Sequence, residues 1–281
     1  MLLTPFCIFS QEIKAYQFYN KNKEKVDATK VFTQLSDFDV VLFGENHNSS
    51  INHWLQLKSL EKLVNDKKKN IVVGAEMFER DNQSGLTDYI SGKIDAKVLK
   101  DSVRLWNNYA TDYSPLVEFA KKNGLRFIAT NVPRKYASQV AKQGLGSLNS
   151  LPPSEKLRMA KLPIEVSLQT PGYSEMKEMM GDHADNMKVM NFISAQAIKD
   201  ATMAESILNN RSSHQLFIHF NGNYHSKEYG GIYWYLKKAN PKLKIAVISI
   251  FESDDQELPL ENDVVATEFN LVIPADMTKT Y

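Results

Sequence analysis

The sequence predicts an α/β fold, in which a largely parallel sheet is flanked by helices and a helical insertion lies between the third and fourth strands. Three observations predict it: short β-rich apolar runs, amphipathic segments between them, and a Gly-x-x-His pattern after two of the runs. Most of the runs lack polar alternation, which is typical of strands covered on both faces, and alternating β and α elements favour a parallel sheet. The predicted strands are Asp39–Phe43, Asn70–Ala75, Leu125–Thr130, Gln215–Phe220 and Lys244–Ile250.

Segments with helical periodicity separate the strands. The predicted helices are Ile51–Asn65, Ser114–Asn123, Lys188–Asn210 and Ser226–Ala239. Residues 144–190, rich in Gly, Pro and Met, are too long for a simple connection, and we interpret them as the helical insertion, placed over the carboxyl edge of the sheet. The tail after residue 253 carries no motif, and a short strand is expected at Asn270–Ile273. Residues 11–281 are thus predicted to form a single α/β domain.

Composition and the N-terminus narrow the function classes. A net charge of +1 over 281 residues gives no field that favours nucleic acid. Residues 1–10 are apolar before the chain turns polar, and we interpret them as the remnant of a signal peptide, which predicts an exported, periplasmic or envelope protein. A lipoprotein would depend on Cys7, but the preceding Thr4-Pro5-Phe6 disfavours lipid attachment. Membrane association is therefore expected only through envelope location.

Polar side chains follow the predicted strands where a parallel sheet binds ligands, at its carboxyl edge. The Gly-x-x-His turns supply Glu45 and His47 after the first strand and His225 after the fourth, while Glu76 ends the second and Arg134 follows the third. These four His and Glu side chains could act as general acids and bases or bind a divalent metal, and the guanidinium could hold an anion.

Simpler interpretations stand beside these. Glu45 could merely cap the following helix, because acidic residues favour helix N-termini. His53 is expected to be a surface or packing residue of a helix, and His219, inside a strand, a structural histidine. Asp200 lies on a predicted helix, where the pattern alone indicates a solvated residue.

Several motifs in order resemble the ChaN-like haem-binding proteins, a family grouped with the Tiki metalloproteases and the erythromycin esterases. The resemblance covers roughly residues 30–252. Its motifs are Gly44-Glu45-Asn46-His47, Glu76-Met77-Phe78-Glu79-Arg80, Asn131-Val132-Pro133-Arg134, the Gln196…Asp200…Met203-Ala204 helix and Gly222-Asn223-Tyr224-His225. It implies an α/β fold with a helical insertion and a role in bacterial iron or haem uptake. It also implies haem bound through a tyrosine with a histidine assisting, and two haems meeting across a homodimer.

The resemblance does not identify the tyrosine. We favour Tyr173 with His183, and Tyr113 is the alternative. Met176 and Met180 would line the porphyrin face, because apolar methionines suit it. A haem-binding protein is thus preferred to an enzyme. A hydrolase that uses Glu45, His47, Glu76, Arg134 and His225, with or without a metal, remains the alternative, and a binding protein for another small ligand is the third possibility.

Overall fold

The five predicted strands lie side by side and parallel in one sheet of a computed structural model that describes residues 13–66, 68, 70–181 and 186–281. Within these residues the strands are β1 (Gln17–Asn20), β2 (Lys25–Val26), β3 (Val40–Glu45), β4 (Asn70–Glu79), β5 (Arg126–Asn131), β6 (Gln215–Gly222), β7 (Ile245–Ser253) and β8 (Phe269–Pro274). Their order across the sheet is β2-β1-β8-β7-β3-β6-β4-β5. From β8 to β5 all described neighbours are parallel, whereas β1 pairs antiparallel with both β2 and β8. The predicted α/β class is confirmed.

Helices cover both faces of the sheet. In chain order they are α1 (Ala28–Gln34), α2 (Ser50–Asp66), α3 (Gln83–Ile90), α4 (Ala96–Ser102), α5 (Ser114–Lys122), α6 (Arg134–Gln143), α7 (Pro153–Lys156), α8 (Tyr173–Met180), α9 (Asn186–Asn210) and α10 (Gly231–Ala239). Along β3, Val41 and Phe43 belong to the core shared with α1, α2, α3 and α5, whereas Val40 and Leu42 belong to the core shared with α9 and α10. Burial on both faces explains the apolar runs without alternation.

The helical insertion lies between β5 and β6. Residues 144–190 contain α7, α8 and the first turn of α9, and residues 182–185, between α8 and α9, lie outside the described part of the chain. Tyr173, the first residue of α8, packs against Val189, Ile193 and Ala197 of α9. The insertion is therefore anchored on the helix that precedes β6.

Two details differ from the sequence prediction, and a third agrees with it. The last helix starts at Gly231 rather than Ser226, because Glu228 and Tyr229 have φ of 55° and 65°, which a right-handed helix cannot continue. The strands β1 and β2 were not predicted; β1 pairs with β8, more than 240 residues away in sequence. The strand expected at Asn270–Ile273 is present as β8.

The prediction for residues 1–10 falls outside the described part of the chain, so export stays a prediction. Within the residues that the structure describes, no helix is both long enough and apolar enough to cross a bilayer.

Candidate functional site

The carboxyl ends of three adjacent strands bring the predicted side chains together. In the order β3-β6-β4, Glu45 is the last residue of β3 and pairs with Gly222, the last residue of β6. Glu76 lies in β4 at the point where its register with β5 shifts, between Ala75 and Glu79. The chain turns just after Gly44-Glu45 and just after Gly222, and these turns carry His47 and His225. Sequence spacing alone therefore predicted the meeting of these four ionisable groups.

A carboxylate orients the histidine of the first turn. His47 Nδ1 donates to Glu45 Oε1 at 2.8 Å. The buried carboxylate also accepts from Tyr113 Oη at 2.8 Å and from Gln56 Nε2 at 2.7 Å. Among the described residues His47 Nε2 has no hydrogen-bond partner, and 34% of the side chain is exposed. This is the arrangement of a positioned imidazole with one nitrogen left for a ligand or a proton.

Two carboxylates hold the histidine of the second turn. His225 Nδ1 donates to Asp200 Oδ1 at 2.5 Å, and Nε2 lies 3.1 Å from Glu76 Oε1. Asp200 accepts in addition from Tyr173 Oη at 2.5 Å, and Glu76 Oε2 accepts from the Gly222 backbone N–H at 2.8 Å. Both ring nitrogens of His225 are thus engaged inside the protein.

The pKa values follow from these contacts. Burial works against charge on both histidines, yet the carboxylates outweigh it, so the pKa of His47 is raised and that of His225 reaches about 10. Burial would raise the pKa of Glu45 and Glu76, but the neighbouring imidazoles lower the pKa of both carboxyls below the usual value. His225 is therefore an imidazolium between two carboxylates at neutral pH.

The two turns touch at Gly222. A Cβ placed on this glycine would lie 2.8 Å from His47 Nε2 and 3.4 Å from Glu76 Oε2. The absence of a side chain at Gly222 is thus what leaves room for the free nitrogen of His47.

His219 and His53 are packed inside the protein. His219 Nε2 lies 2.8 Å from Thr130 Oγ1, and His219 Nδ1 lies 3.0 Å from Asn221 Oδ1, while burial lowers the pKa of His219 to about 4. The interpretation of His219 as structural agrees with this. His53, near Glu45, packs edge-on against Tyr113 with ring centroids 5.1 Å apart.

The structure buries both tyrosines proposed for haem. Tyr113 and Tyr173 are 1% and 2% exposed, and each hydroxyl donates to a carboxylate. Burial and the adjacent carboxylates raise the pKa of both phenols, which disfavours a phenolate. Ligation by either would require its hydroxyl to leave the carboxylate. Met180 is 39% exposed, Met176 is half-buried, and His183 lies outside the described residues.

The predicted divalent metal site is not supported. Among the residues that the structure describes, no group of three or more His, Cys, Asp or Glu side chains is arranged to hold a metal ion. The physical reason is that His225 uses both nitrogens as donors, whereas a metal ligand needs a free lone pair. Arg134 is exposed at the start of α6 and has no ion pair with any described residue.

Sequence reasoning missed two contributors. Asp200 is 1% exposed rather than solvated, and the Gln196…Asp200 pattern could not show which face of α9 meets the sheet edge. Gln56 lies on α2 and was not singled out, because an amide on a helix gives no signal without its partner.

Comparisons with known proteins agree with the fold. The model of the family described as "Haem-binding uptake, Tiki superfamily, ChaN" matches residues 31–236, which are 206 of the 281 residues. A solved structure of *Campylobacter jejuni* ChaN, described as showing cofacial haem binding, is similar over 93% of this chain and 98% of that one, with a TM-score of 0.70 and 17% identity. The protein RETICULATA-RELATED 5, chloroplastic, of *Arabidopsis thaliana* is 24% identical over 196 residues, or 65% of this chain. The match spans only 26% of that relative's length.

Proposed function

Because the chain belongs to the ChaN family of haem-binding uptake proteins in the Tiki superfamily, we propose that it binds haem and serves iron or haem uptake at the bacterial envelope. The family match over most of the chain is the observation that carries this proposal. Two parts of the structure suit the porphyrin and its iron, respectively.

Exposed apolar side chains at the end of α8 and the start of α9 suit a porphyrin face. They are Met179 and Met180 of α8 and Met187 and Phe192 of α9, with Met179 and Met187 exposed to 72% and 71%. Exposed methionines and aromatic rings are unusual on a surface that meets only water, and they suit a flat apolar ligand. We call these four residues the methionine surface.

Tyr224 is the tyrosine whose environment fits a ferric ligand best. It is 44% exposed, and its backbone carbonyl lies against Gly172, the residue before α8. The Lys227 ammonium lies 4.1 Å from the centre of the Tyr224 ring and also pairs with Glu175 of α8. The side chain is thus accessible to a ligand beside α8, and phenolate oxygen is a ligand of ferric haem.

Hemin titration followed by absorbance tests this assignment. Wild-type protein is expected to shift the Soret band of hemin, and the shift is expected to saturate at a fixed ratio of hemin to protein. Tyr224→Phe is expected to weaken binding about tenfold or more and to remove the tyrosinate band, as loss of an iron ligand does. Tyr281→Phe, which changes another exposed tyrosine, serves as the matched control.

The same titration compares the three tyrosines. Loss of the tyrosinate band in Tyr173→Phe or Tyr113→Phe, with Tyr224→Phe unaffected, would contradict the Tyr224 assignment and support the buried ligands. Absence of any Soret shift in the wild type would contradict haem binding.

Dimer formation and export complete the proposal. The methionine surface is where a second copy would meet this one across two haems, so hemin is expected to raise the sedimentation coefficient from that of a monomer to that of a dimer.

Export is supported by the apolar start of the sequence, and N-terminal sequencing of protein from the envelope fraction would test it. An uncleaved chain found only in the cytosol would contradict it.

Hydrolysis is the second candidate, and the state of His47 favours it. Its Nδ1 is held by Glu45, Nε2 has no hydrogen-bond partner in the described part of the chain, and the side chain is 34% exposed, which suits a general acid or base. His225 lacks a free nitrogen, so in such a hydrolase it would position Glu76 rather than exchange protons with substrate.

Ester and peptide panels test this second function. Turnover is expected to fall about a hundredfold or more in His47→Gln, the usual contribution of general acid–base catalysis. His214→Gln, at an exposed histidine, is the control. No turnover on any substrate, or equal turnover in the two variants, would contradict the hydrolase.

A further inference from the structure

A cleft of about 520 Å³ opens beside the first Gly-x-x-His turn. Its walls include Arg104, Trp106, Asn108, Arg134, Thr280 and Tyr281, and we call it the Trp106 cleft. A volume of this size is in the range that holds small organic ligands.

The cleft adjoins His47 directly. The Trp106 and His47 rings meet edge-on with centroids 4.9 Å apart, and Asn108 Nδ2 donates to the His47 carbonyl oxygen at 3.0 Å. A ligand seated on Trp106 would therefore lie beside the turn that carries the oriented imidazole.

The chain near the C-terminus forms one wall. The Thr280 backbone N–H donates to the Asn48 carbonyl at 2.8 Å, and Thr280 Oγ1 donates to Asp112 Oδ2 at 2.8 Å. These bonds fix the wall to the first turn and to the residue before Tyr113. Tyr281 follows on this anchored segment, so the cleft is a built concavity with aromatic side chains on two sides.

The charges in the cleft leave one cation uncompensated. Arg104 donates to Glu79 at 2.8 Å and also pairs with Asp81, so its charge is met within the protein. Arg134 has no carboxylate partner among the described residues and is exposed to the cleft. A guanidinium at the wall of an aromatic cleft binds a carboxylate or phosphate group of a ligand.

We propose that the Trp106 cleft binds small anions with a planar aromatic body, held by Arg134 through the negative group and by Trp106 through the ring. The proposal goes beyond haem binding. For the hydrolytic candidate, on which this part of it rests, it names negatively charged aromatic esters as the substrate class.

Trp106 itself reports binding. The chain has three tryptophans, so Trp54→Phe with Trp234→Phe leaves Trp106 as the sole fluorophore. Titration of this variant with 4-nitrobenzoate, an unreactive aromatic anion and a quencher, is expected to give saturable quenching. The neutral 4-nitrobenzamide is expected to bind about tenfold more weakly, since it lacks the charge that Arg134 meets.

A matched pair of variants assigns the cation. Arg134→Gln is expected to weaken 4-nitrobenzoate binding about tenfold, whereas Lys135→Gln removes the same charge one residue away and is expected to leave binding unchanged. Lys135 pairs with Glu155 outside the cleft. Linear, unsaturable quenching, equal binding of acid and amide, or equal effects of the two variants would overturn the proposal.

The readout separates this inference from the proposed functions. Hemin binding with no saturable quenching would overturn the cleft proposal alone. Saturable quenching without hemin binding or ester turnover would contradict the proposed functions and leave the cleft. Displacement of 4-nitrobenzoate by hemin would overturn the proposal, because the cleft would then belong to the haem site.

Discussion

The two Gly-x-x-His turns have the same pattern and opposite environments. His47 is partly exposed, is oriented by one carboxylate and keeps one ring nitrogen without a partner among the described residues, whereas His225 is buried with both nitrogens bound to carboxylates. The difference comes from Asp200, because α9 brings a second carboxylate to His225. One short motif can thus place an accessible acid–base group at one strand end and, at another, a buried imidazolium held by two carboxylates, which we call the ionic lock.

This contrast assigns different work to the two turns. The first turn exposes the His47 imidazole beside the Trp106 cleft and to solvent. In the second turn His225 holds Glu76 and Asp200, and Asp200 accepts in turn from Tyr173, the first residue of α8. Replacement of each histidine separately should therefore lower stability mainly at His225 and affect function mainly at His47.

The largest expected effect is on stability. His225→Ala leaves Asp200 and Glu76 buried without their cation and is expected to lower the free energy of unfolding by about 3–5 kcal/mol. His47→Ala is expected to cost only about 1–2 kcal/mol, because Glu45 keeps two other donors. Urea unfolding of both variants measures the difference. His214→Ala controls for loss of an exposed histidine, and equal losses at His47 and His225 would erase the distinction.

The pH dependence sharpens the same comparison. The folded pKa of His225 is raised to about 10, so its stabilisation is complete below the unfolded pKa near 6.5 and is lost as pH rises toward 10. Between about pH 7 and about pH 9 the free energy of unfolding is expected to fall by up to about 1.4 kcal/mol per pH unit. Urea unfolding across this range should show that the free energy of unfolding falls less per pH unit in His225→Gln than in the wild type. If His47→Gln flattened the slope more than His225→Gln, the assignment of the ionic lock would be wrong.

The glycines of the two turns give effects smaller than the loss of His225. A Cβ at Gly44 would lie 2.9 Å from the Ile248 carbonyl oxygen, so Gly44→Ala is expected to cost about 1–3 kcal/mol through backbone displacement. At Gly222 the Cβ meets the end of the His47 side chain, which can turn aside. Gly222→Ala should therefore cost less but shift the His47 ring resonances in NMR spectra, which Gly44→Ala should move less. Unchanged His47 resonances in Gly222→Ala would contradict the contact.

The sheet and its edge were predictable from sequence because both depend on local patterns. Strands buried on both faces are apolar throughout, and a glycine marks each turn at the end of β3 and β6. Parallel strands then place Glu45, Glu76 and the two histidines at one edge without further information.

The partners of these groups were not predictable in the same way. Asp200 faces the site because α9 packs against the sheet with that side turned inward, which depends on tertiary contacts. The strand β1 likewise exists because β8 lies beside it, at the other end of the chain. Tyr173 is favoured as a haem ligand from its neighbours in the sequence, whereas its burial depends on how α8 packs against α9, which the sequence does not show.

The contact between Gly222 and His47 has a consequence for related sequences. A side chain at position 222 would turn the His47 ring away from its present position, so a relative with alanine there would hold the imidazole differently or carry a smaller residue at position 47. These two positions, far apart in the chain, are expected to change together during evolution. Their joint variation would mark the lineages in which the first turn has lost its imidazole.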